Sequence, residues 1–394
     1  MELLAIVLSV GGSTALIVQL AVYAIFARTQ RSRPNNEPPP GLPFPISVLK
    51  PVCGADPGLE QNLRALLEQA DTQFELIVGA AEADDPGLVI AKRMAAAYPD
   101  REVRIVSGSN TSGNNPKVRL LRYLEQFARY DWLLISDSNV RPTPSYLAHL
   151  RQTQAKFHAD LVHSTLTGRH GKSFGDRLED LHLTGWVAPL IRATQYLGHP
   201  CVIGKSMLLR RSVLQRVGGL AEVRNVLAED YVLGDRFRRA GHTVALCPHP
   251  LPVINQGRGL TGFINRHVRW GQMRRRISPA SFSAELLAQP LLYFGPLVCL
   301  DSPLRWIAVL GLSLKWSLEA SVIDRLSPDL QFGSAVLLPV KDLLILALLP
   351  VSFFKRTVNW RGHRMLVSKN SVLSELPPGT DPAKAALTLD PLST

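Results

Sequence analysis

The chain has 394 residues, enough for one large domain or for one domain with membrane helices. Its formal net charge of +12 suits nucleic acid, an anionic membrane or phosphorylated small molecules, but there is no zinc-finger spacing, RNP-like aromatic motif or long Lys/Arg tail to support nucleic acid. The 46% of hydrophobic residues form their longest runs near the two ends, and the four cysteines (Cys53, Cys201, Cys247, Cys299) contain no CxxC pair, which argues against a zinc site or a disulfide framework and fits a reducing compartment.

Residues 3–27, LLAIVLSVGGSTALIVQLAVYAIFA, are uncharged and long enough to cross a bilayer. The run lacks the basic n-region of a cleaved signal peptide, so it reads as a retained anchor over 1–28. Arg28, Arg31 and Arg33 follow and place the next domain in the cytoplasm by the positive-inside rule. The stretch to residue 45, with NNEPPPGLPFP, is a Pro-rich linker. Residues 46–250 then alternate between strand-like runs (ISVLKPV, FELIVGAAE, REVRIVSG, YDWLLISDSN) and helical patterns (GLEQNLRALLEQ, PGLVIAKRMAAAYP, KVRLLRYLEQFAR). This rhythm predicts an α/β domain, taken to extend over 46–282, with a mostly parallel sheet covered on both faces. Ligands of such sheets lie beyond the carboxyl ends of the strands. No GxGxxG or GxxxxGKS motif follows these strands, so a dinucleotide or P-loop enzyme is not indicated.

Three further apolar segments fall within 283–355. Segment 286–300 is short and proline-broken, and is expected in the interface; 303–322 carries Arg305, Lys315 and Glu319; 333–354 contains Lys341 and Asp342. The basic KRTVNWRGHR opens a cytoplasmic tail over 356–394, so an even number of these segments should cross, taken as two; the alternative is that all three are buried helices of a soluble domain.

Four features carry chemistry. Asp84-Asp85-Pro86 follows a strand, Asp137 ends LLISDSN, Asp230 follows Glu229 in LAEDYVLG, and Arg266-His-Val-Arg269-Trp270 sits in a basic run. Singly, each has an ordinary structural explanation: a helix cap, a turn, a carboxylate at a helix N-terminus, a solvated or headgroup-facing helix. Together and in this order they suit transfer from a diphosphate leaving group. A divalent hard cation held by Asp137 could neutralise that group, Asp230 could take the proton of an attacking hydroxyl, and Arg266, Arg269 and Trp270 could close over the site.

These motifs resemble the ceramide glucosyltransferases and, more broadly, membrane-bound inverting transferases of the GT-A fold. The D, D, D and (Q/R)xxRW series reads here as Asp85, Asp137, Asp230 and Arg266-His-Val-Arg269-Trp270, and the likeness extends through SVLKPVCGADPGLEQNL, SGNNPKVRLL, CVIGKSMLLRR and NWRGHR, about residues 46–364. The resemblance implies a GT-A domain with N- and C-terminal transmembrane or interfacial helices, a nucleotide-sugar donor with UDP-glucose as default, and Mn2+ or Mg2+. It further implies roles: Asp85 and Lys117 near the nucleotide, Asp137 on the metal, Asp230 as base, and Arg266, Arg269 and Trp270 at the diphosphate and acceptor. The implied acceptor is a membrane lipid, ceramide or alternatively a hopanoid, and the implied location is a multi-pass protein facing the cytoplasm, with a bacterial inner membrane favoured by the Ala/Arg/Leu-rich composition. Two departures stand out. Asn139 makes D-x-N of the usual D-x-D, and Trp186-Val187-Ala188-Pro189 stands where eukaryotic members have a His-Pro pair. A processive polysaccharide synthase would need more crossings, and a non-catalytic sugar-nucleotide sensor would not need all three aspartates and the Arg-Trp.

Overall fold

A computed structural model of the protein describes residues 1–30, 44–330, 336–360 and 363–376. Most of the expected linker (31–43), the start of the third apolar segment, Arg361 and Gly362 of NWRGHR, and the tail beyond 376 lie outside the described residues. The chain divides into two compact units: a sheet unit, Ser32–His170 with Ile191–Gln256, and a helical unit, Met1–Arg31 with Gly171–Leu190 and Gly257–Thr394.

The chain opens with helix α1 (Glu2–Gln30) of the helical unit. The sheet unit then alternates as the sequence predicts: β1 (Ile46–Pro51), α2 (Leu59–Leu67), β2 (Phe74–Ala80), α3 (Pro86–Ala97), β3 (Val103–Ser107), α4 (Pro116–Leu124), β4 (Trp132–Ser136), α5 (Tyr146–Phe157) and β5 (Leu161–Arg169). After α6 (Phe174–His182) and α7 (Ala188–Tyr196) it resumes with β6 (Ser206–Arg210), α8 (Arg211–Arg216), α9 (Glu229–Arg239) and β7 (Val244–Ile254). The strand order is β3-β2-β1-β4-β6-β5-β7. β1 runs parallel to β2 and β4, β2 to β3, and β5 to β7, while β6 is antiparallel to both of its neighbours. β2 and β4 are buried at every residue, as expected of strands covered on both faces. Leu49, Ile77, Leu133, Ile135, Met207 and Leu209 of the sheet pack with Leu121 and Leu124 of α4 and Phe237 of α9. Two helices begin on the same device: Asp85 caps α3 and Asn115 caps α4, each followed by proline at the first helical position, where no amide proton is needed.

In the helical unit, a capping box of Ser173 and Asp176 starts α6, which runs on through a π-turn, Leu183–Val187. The remaining elements are α10 (Gly259–Ile277), α11 (Pro279–Leu287), α12 (Pro290–Val298), α13 (Arg305–Leu326), α14 (Leu338–Phe354) and a three-stranded antiparallel sheet of β8 (Thr357–Trp360), β9 (His363–Val367) and β10 (Leu373–Glu375). α1 and α13 are long and apolar enough to cross a membrane, with mean hydropathies of 2.1 and 1.3. Both expose large apolar side chains, among them Val7 and Ile17 on α1 and Trp306 and Leu310 on α13. α12 has nine residues, about 14 Å at helical rise, too short to cross, because Pro290 restarts the helix after α11. Phe294 of α12 is wedged where a Cβ at Gly12 or Gly311 would overlap its ring, so α1, α12 and α13 depend on glycine for their approach. The charges interrupting the C-terminal segments are paired: Lys315 with Glu319 at 2.8 Å and with Asp342, and Lys341 with Glu319.

Candidate active site

The C-terminal end of β4 carries Asp137, 18% exposed, between two lysines. Lys117, in the first turn of α4, places its Nζ 2.9 Å from Asp137 Oδ1. Lys205, in the loop entering β6, places its Nζ 2.8 Å from Asp137 Oδ2 and 2.9 Å from Asn139 Oδ1. The Asp137 amide donates to the Lys205 carbonyl at 3.1 Å, fixing the two loops together. Lys117 also reaches Glu229 Oε1 at 3.0 Å and donates to the Gly204 carbonyl at 3.2 Å. A third lysine, Lys50, is fully buried on β1 and donates to the Asp137 carbonyl at 2.7 Å.

These placements set the electrostatics. Burial pushes the Asp137 carboxyl up, but the ammonium groups of Lys117 and Lys205 outweigh it and hold it well below the ordinary carboxylate range. Burial opposes the charge on Lys117, yet Asp137, Glu229 and Asp230 together raise its pKa above the ordinary value, so it stays protonated. Glu229 is pushed up, by burial first, with Lys117 opposing and Asp230 adding to the rise. Lys50 is lowered to about 7, by burial first, with Asp137 opposing and Lys205 adding.

Asp230 stands in the first turn of α9. Its Oδ2 accepts from the Gly204 amide at 2.5 Å and its Oδ1 from its neighbour Tyr231 at 2.8 Å, which fixes the plane of the carboxylate. A Cβ on Gly204 would lie 2.9 Å from Asp230 Cβ, 3.0 Å from Oδ2 and 3.2 Å from Lys117 Nζ, so only glycine permits this approach. Asn115 ties α4 to the loop before α9, its Nδ2 donating to Val226 O at 2.6 Å. The sheet unit thus brings Asp137, Lys117 and Asp230 together.

Asp85 is placed differently. Its Oδ1 caps α3 through the Gly87 amide at 2.7 Å, and Oδ2 accepts from the Gly54 amide at 2.8 Å, so it braces the turn after β2 against the loop after β1. Asp84 beside it is exposed.

Arg266, Arg269 and Trp270 lie on α10 of the helical unit. Arg266 is buried, with Nη1 2.8 Å from Oε1 of Glu179 on α6; His267 Nε2 lies 3.2 Å from Oε2 of the same carboxylate. Burial pushes Glu179 up, but Arg266 and His267 hold it well below the usual range. Burial, then His267, lowers His182 on α6 well below its ordinary value, which keeps it neutral. The Arg266 guanidinium carbon lies 5.3 Å from the Trp270 ring centroid. The buried Arg of the motif therefore braces α10 on α6, and Arg269 on the same helix is half-buried.

Asp137, expected on the metal, is already engaged by cations. Both oxygens of Asp137 are bonded to ammonium groups, the residue two further on is an amide, and no group of three His, Cys, Asp or Glu side chains suited to a metal occurs among the described residues. A divalent cation prefers several oxygen donors, carboxylates first. As the residues stand, they do not fit a resident ion: Lys205 spans the gap between Asp137 and Asn139 that an ion between two such ligands would take. Lys205 and Lys50 are the residues sequence reasoning undervalued; a lysine within the apolar run ISVLKPV was the available signal for the second.

This sheet, with a carboxylate and its basic partners beyond the strand ends, is that of the GT-A-like glycosyltransferases. A mannosyltransferase from Pyrobaculum calidifontis, solved in complex with GDP-Man and Mn2+, matches over 90% of this chain and 98% of its own, with a TM-score of 0.52 at 17% identity. More particularly, the chain belongs to glycosyl transferase family 21, whose family model matches residues 6–373. It is 27% identical over 260 residues to ceramide glucosyltransferase 1 of Caenorhabditis elegans, covering 66% of this chain and 55% of that protein. It is 29% identical over 336 residues to the ceramide glucosyltransferase of Komagataella phaffii, covering 70% and 65%. The chain thus spans between about half and two thirds of the length of these relatives.

Proposed function

We propose that the protein is a membrane-bound hexosyltransferase that moves a sugar, glucose from UDP-glucose as the default, onto the primary hydroxyl of a membrane lipid, with ceramide as the acceptor and inversion at the anomeric carbon. The observation that carries this reading is the pairing of Asp230, held by the Gly204 and Tyr231 amides, with the Lys117–Asp137–Lys205 cluster that shares the Gly204 loop. The relatives named ceramide glucosyltransferase support the acceptor and the sugar.

In this mechanism Asp230 accepts the proton of the lipid hydroxyl as its oxygen attacks the anomeric carbon from the face opposite the nucleotide. A single displacement with one base inverts that carbon. The nucleoside diphosphate leaves with its bonding electron pair, and its negative charge must be met by positive charge in place. Lys117 and Lys205 supply it. Lys117 gives up the Gly204 carbonyl and Lys205 gives up Asn139 for a phosphate oxygen, while Asp137 keeps the two ammonium groups positioned. Arg269 and Trp270 keep the roles that the family motif gives them, at the diphosphate and the acceptor. Asp85 acts beside the nucleotide through the loop it braces. No step passes through a metal, because Asp137 already carries two cations as neighbours.

The same reading makes α1 an anchor with the sheet unit in the cytoplasm, since Arg28 and the basic residues after it follow the apolar run. The direct test is incubation of the purified full chain with UDP-glucose and ceramide in lipid nanodiscs. UDP release that depends on ceramide is the expected result; release unaffected by any lipid would refute transfer to a lipid.

A further inference from the structure

The far end of α14 gathers positive charge that the mechanism does not use. α10 closes on Arg274, Arg275 and Arg276, and Lys355 and Arg356 follow α14 at once. Gln272 of α10 ties the two ends together, its Nε2 donating to the Lys355 carbonyl at 2.7 Å and to the Thr357 carbonyl at 3.2 Å. A Cβ on Gly271 would overlap the Ser352 side chain, so only glycine lets α14 approach α10 here. Arg275 is fixed in this corner. Its Nε donates to the Ser352 carbonyl at 3.2 Å, and its guanidinium carbon lies 5.8 Å from the Phe353 ring centroid. Arg274 is matched by Glu285 at 3.0 Å, but among the described residues no carboxylate pairs with Arg275, Lys355 or Arg356. Burial, and then the charges of Arg276 and Arg356, lower Arg275 below its ordinary pKa, as expected of like charges crowded together.

An apolar stripe leads to this corner. Val340, Leu343, Ala347, Val351 and Phe354 recur every three or four residues along α14 and are exposed, Phe354 at 85%, whereas Ile345 and Leu349 pack against Phe263 and Phe282. Such a stripe ending in unmatched guanidinium groups complements one partner in both of its parts: acyl chains cover the stripe, and a phosphate meets the charge. A soluble phosphate would leave the stripe in water. Arginine suits the phosphate because its forked donors match the oxygens. The corner is distinct from the Arg-Trp motif, since Arg275 follows Arg269 by six residues and points about 120° away from it around α10. We propose that this corner binds an anionic phospholipid that is not the sugar acceptor, with its acyl chains along the stripe of α14 and its phosphate held by Arg275, Lys355 and Arg356.

This site goes beyond sugar transfer and rests only on the membrane attachment proposed above. The test places the full chain in phosphatidylcholine bilayers, without donor or acceptor, and adds a trace of spin-labelled phosphatidylglycerol or spin-labelled phosphatidylcholine. Electron paramagnetic resonance then reads the fraction of each label immobilised by the protein. The wild type should prefer phosphatidylglycerol at least about fivefold, the worth of one basic side chain near an anionic surface. Arg275→Gln with Arg356→Gln should bring the preference to within about twofold of none, while Arg275→Lys with Arg356→Lys keeps the charge and should retain it. Lys92→Gln with Lys156→Gln removes the same charge from exposed positions elsewhere and should change nothing. Lys355→Gln, at an exposed side chain, is read as the glutamine pair is, should that pair fail to fold. No preference in the wild type, full preference in the glutamine pair, equal loss in the lysine pair or in the Lys92 and Lys156 control, or abolition by millimolar glycerol phosphate would each overturn the site. Immobilised lipid without preference defeats this site alone, whereas no immobilised lipid of either kind defeats the membrane reading with it.

Discussion

Replacing Lys117 by methionine isolates the charge at the centre of the proposed site. The change keeps the length of the side chain and removes an ammonium group that lies 2.9 Å from Asp137 and 3.0 Å from Glu229. Removing one partner of a buried ion pair costs about 3–5 kcal/mol, because the other charge stays buried alone. Here Asp137 keeps Lys205, and the Lys117 and Asp137 side chains are each 18% exposed, so the lower end, about 3 kcal/mol, is expected. For a domain of this size that is roughly 6–12 °C in melting temperature. The sign of the pH dependence follows from Glu229. Burial already pushes its carboxyl up against the pull of Lys117, and the substitution removes that pull. A carboxyl raised in the folded state favours folding below the ordinary glutamate value of about 4.3 and loses that contribution as pH rises through its folded value. The deficit of Lys117→Met should therefore be smaller at pH 5 than at pH 8. Thermal unfolding of the full chain in detergent, followed by far-UV circular dichroism at both pH values, measures it. A shift under about 2 °C at pH 8, or a larger deficit at pH 5, would refute the charge accounting.

Asp230→Asn removes the base and retains an oxygen for one of the two backbone amides, so transfer should fall by at least about a hundredfold while the Kd for the donor changes little; transfer near the wild-type rate would remove Asp230 from the mechanism. Gly204→Ala drives a Cβ to 2.9 Å from Asp230 and should lower kcat about tenfold or more, and an unchanged kcat would show that the Asp230–Gly204 contact is dispensable. Excess chelator should leave most transfer intact, since Lys205 and Lys117 occupy both oxygens of Asp137; complete loss that added Mn2+ restores would show that the lysines yield that position to an ion. Membranes washed at high pH should retain the protein through α1, and release into the supernatant would make that helix peripheral.

Much of the sheet unit was legible from the sequence because the physics is local. Apolar runs such as WLLIS can be satisfied only by a strand covered on both faces, and Asp85-Pro86 and Asn115-Pro116 mark helix starts by capping chemistry. The positions of Asp137 and Asp230 near one centre were expected from the motif order. Their partners were not, since Lys205 reaches Asp137 across 68 residues and Gly204 reaches Asp230 across 26, distances over which no periodicity carries information. Arg266 had an expected role at the diphosphate, but its buried partner Glu179 sits in a stretch that no motif marked. The C-terminal segments were hardest to read. The prolines that break residues 286–300 were visible, but not that Pro290 ends α11 and begins a new nine-residue helix. Lys315 and Glu319 look like obstacles to a helix crossing a membrane until their pairing with each other, Asp342 and Lys341 is seen.

The central claim is that this chain puts a sugar on a lipid hydroxyl. Mass spectrometry of lipids from nanodiscs containing the full chain, ceramide and isotopically labelled UDP-glucose tests it most directly. A labelled hexosylceramide that forms with the wild type and is absent with Asp230→Asn is the expected result. Labelled free glucose with no glycosylated lipid, or equal product from both proteins, would contradict it.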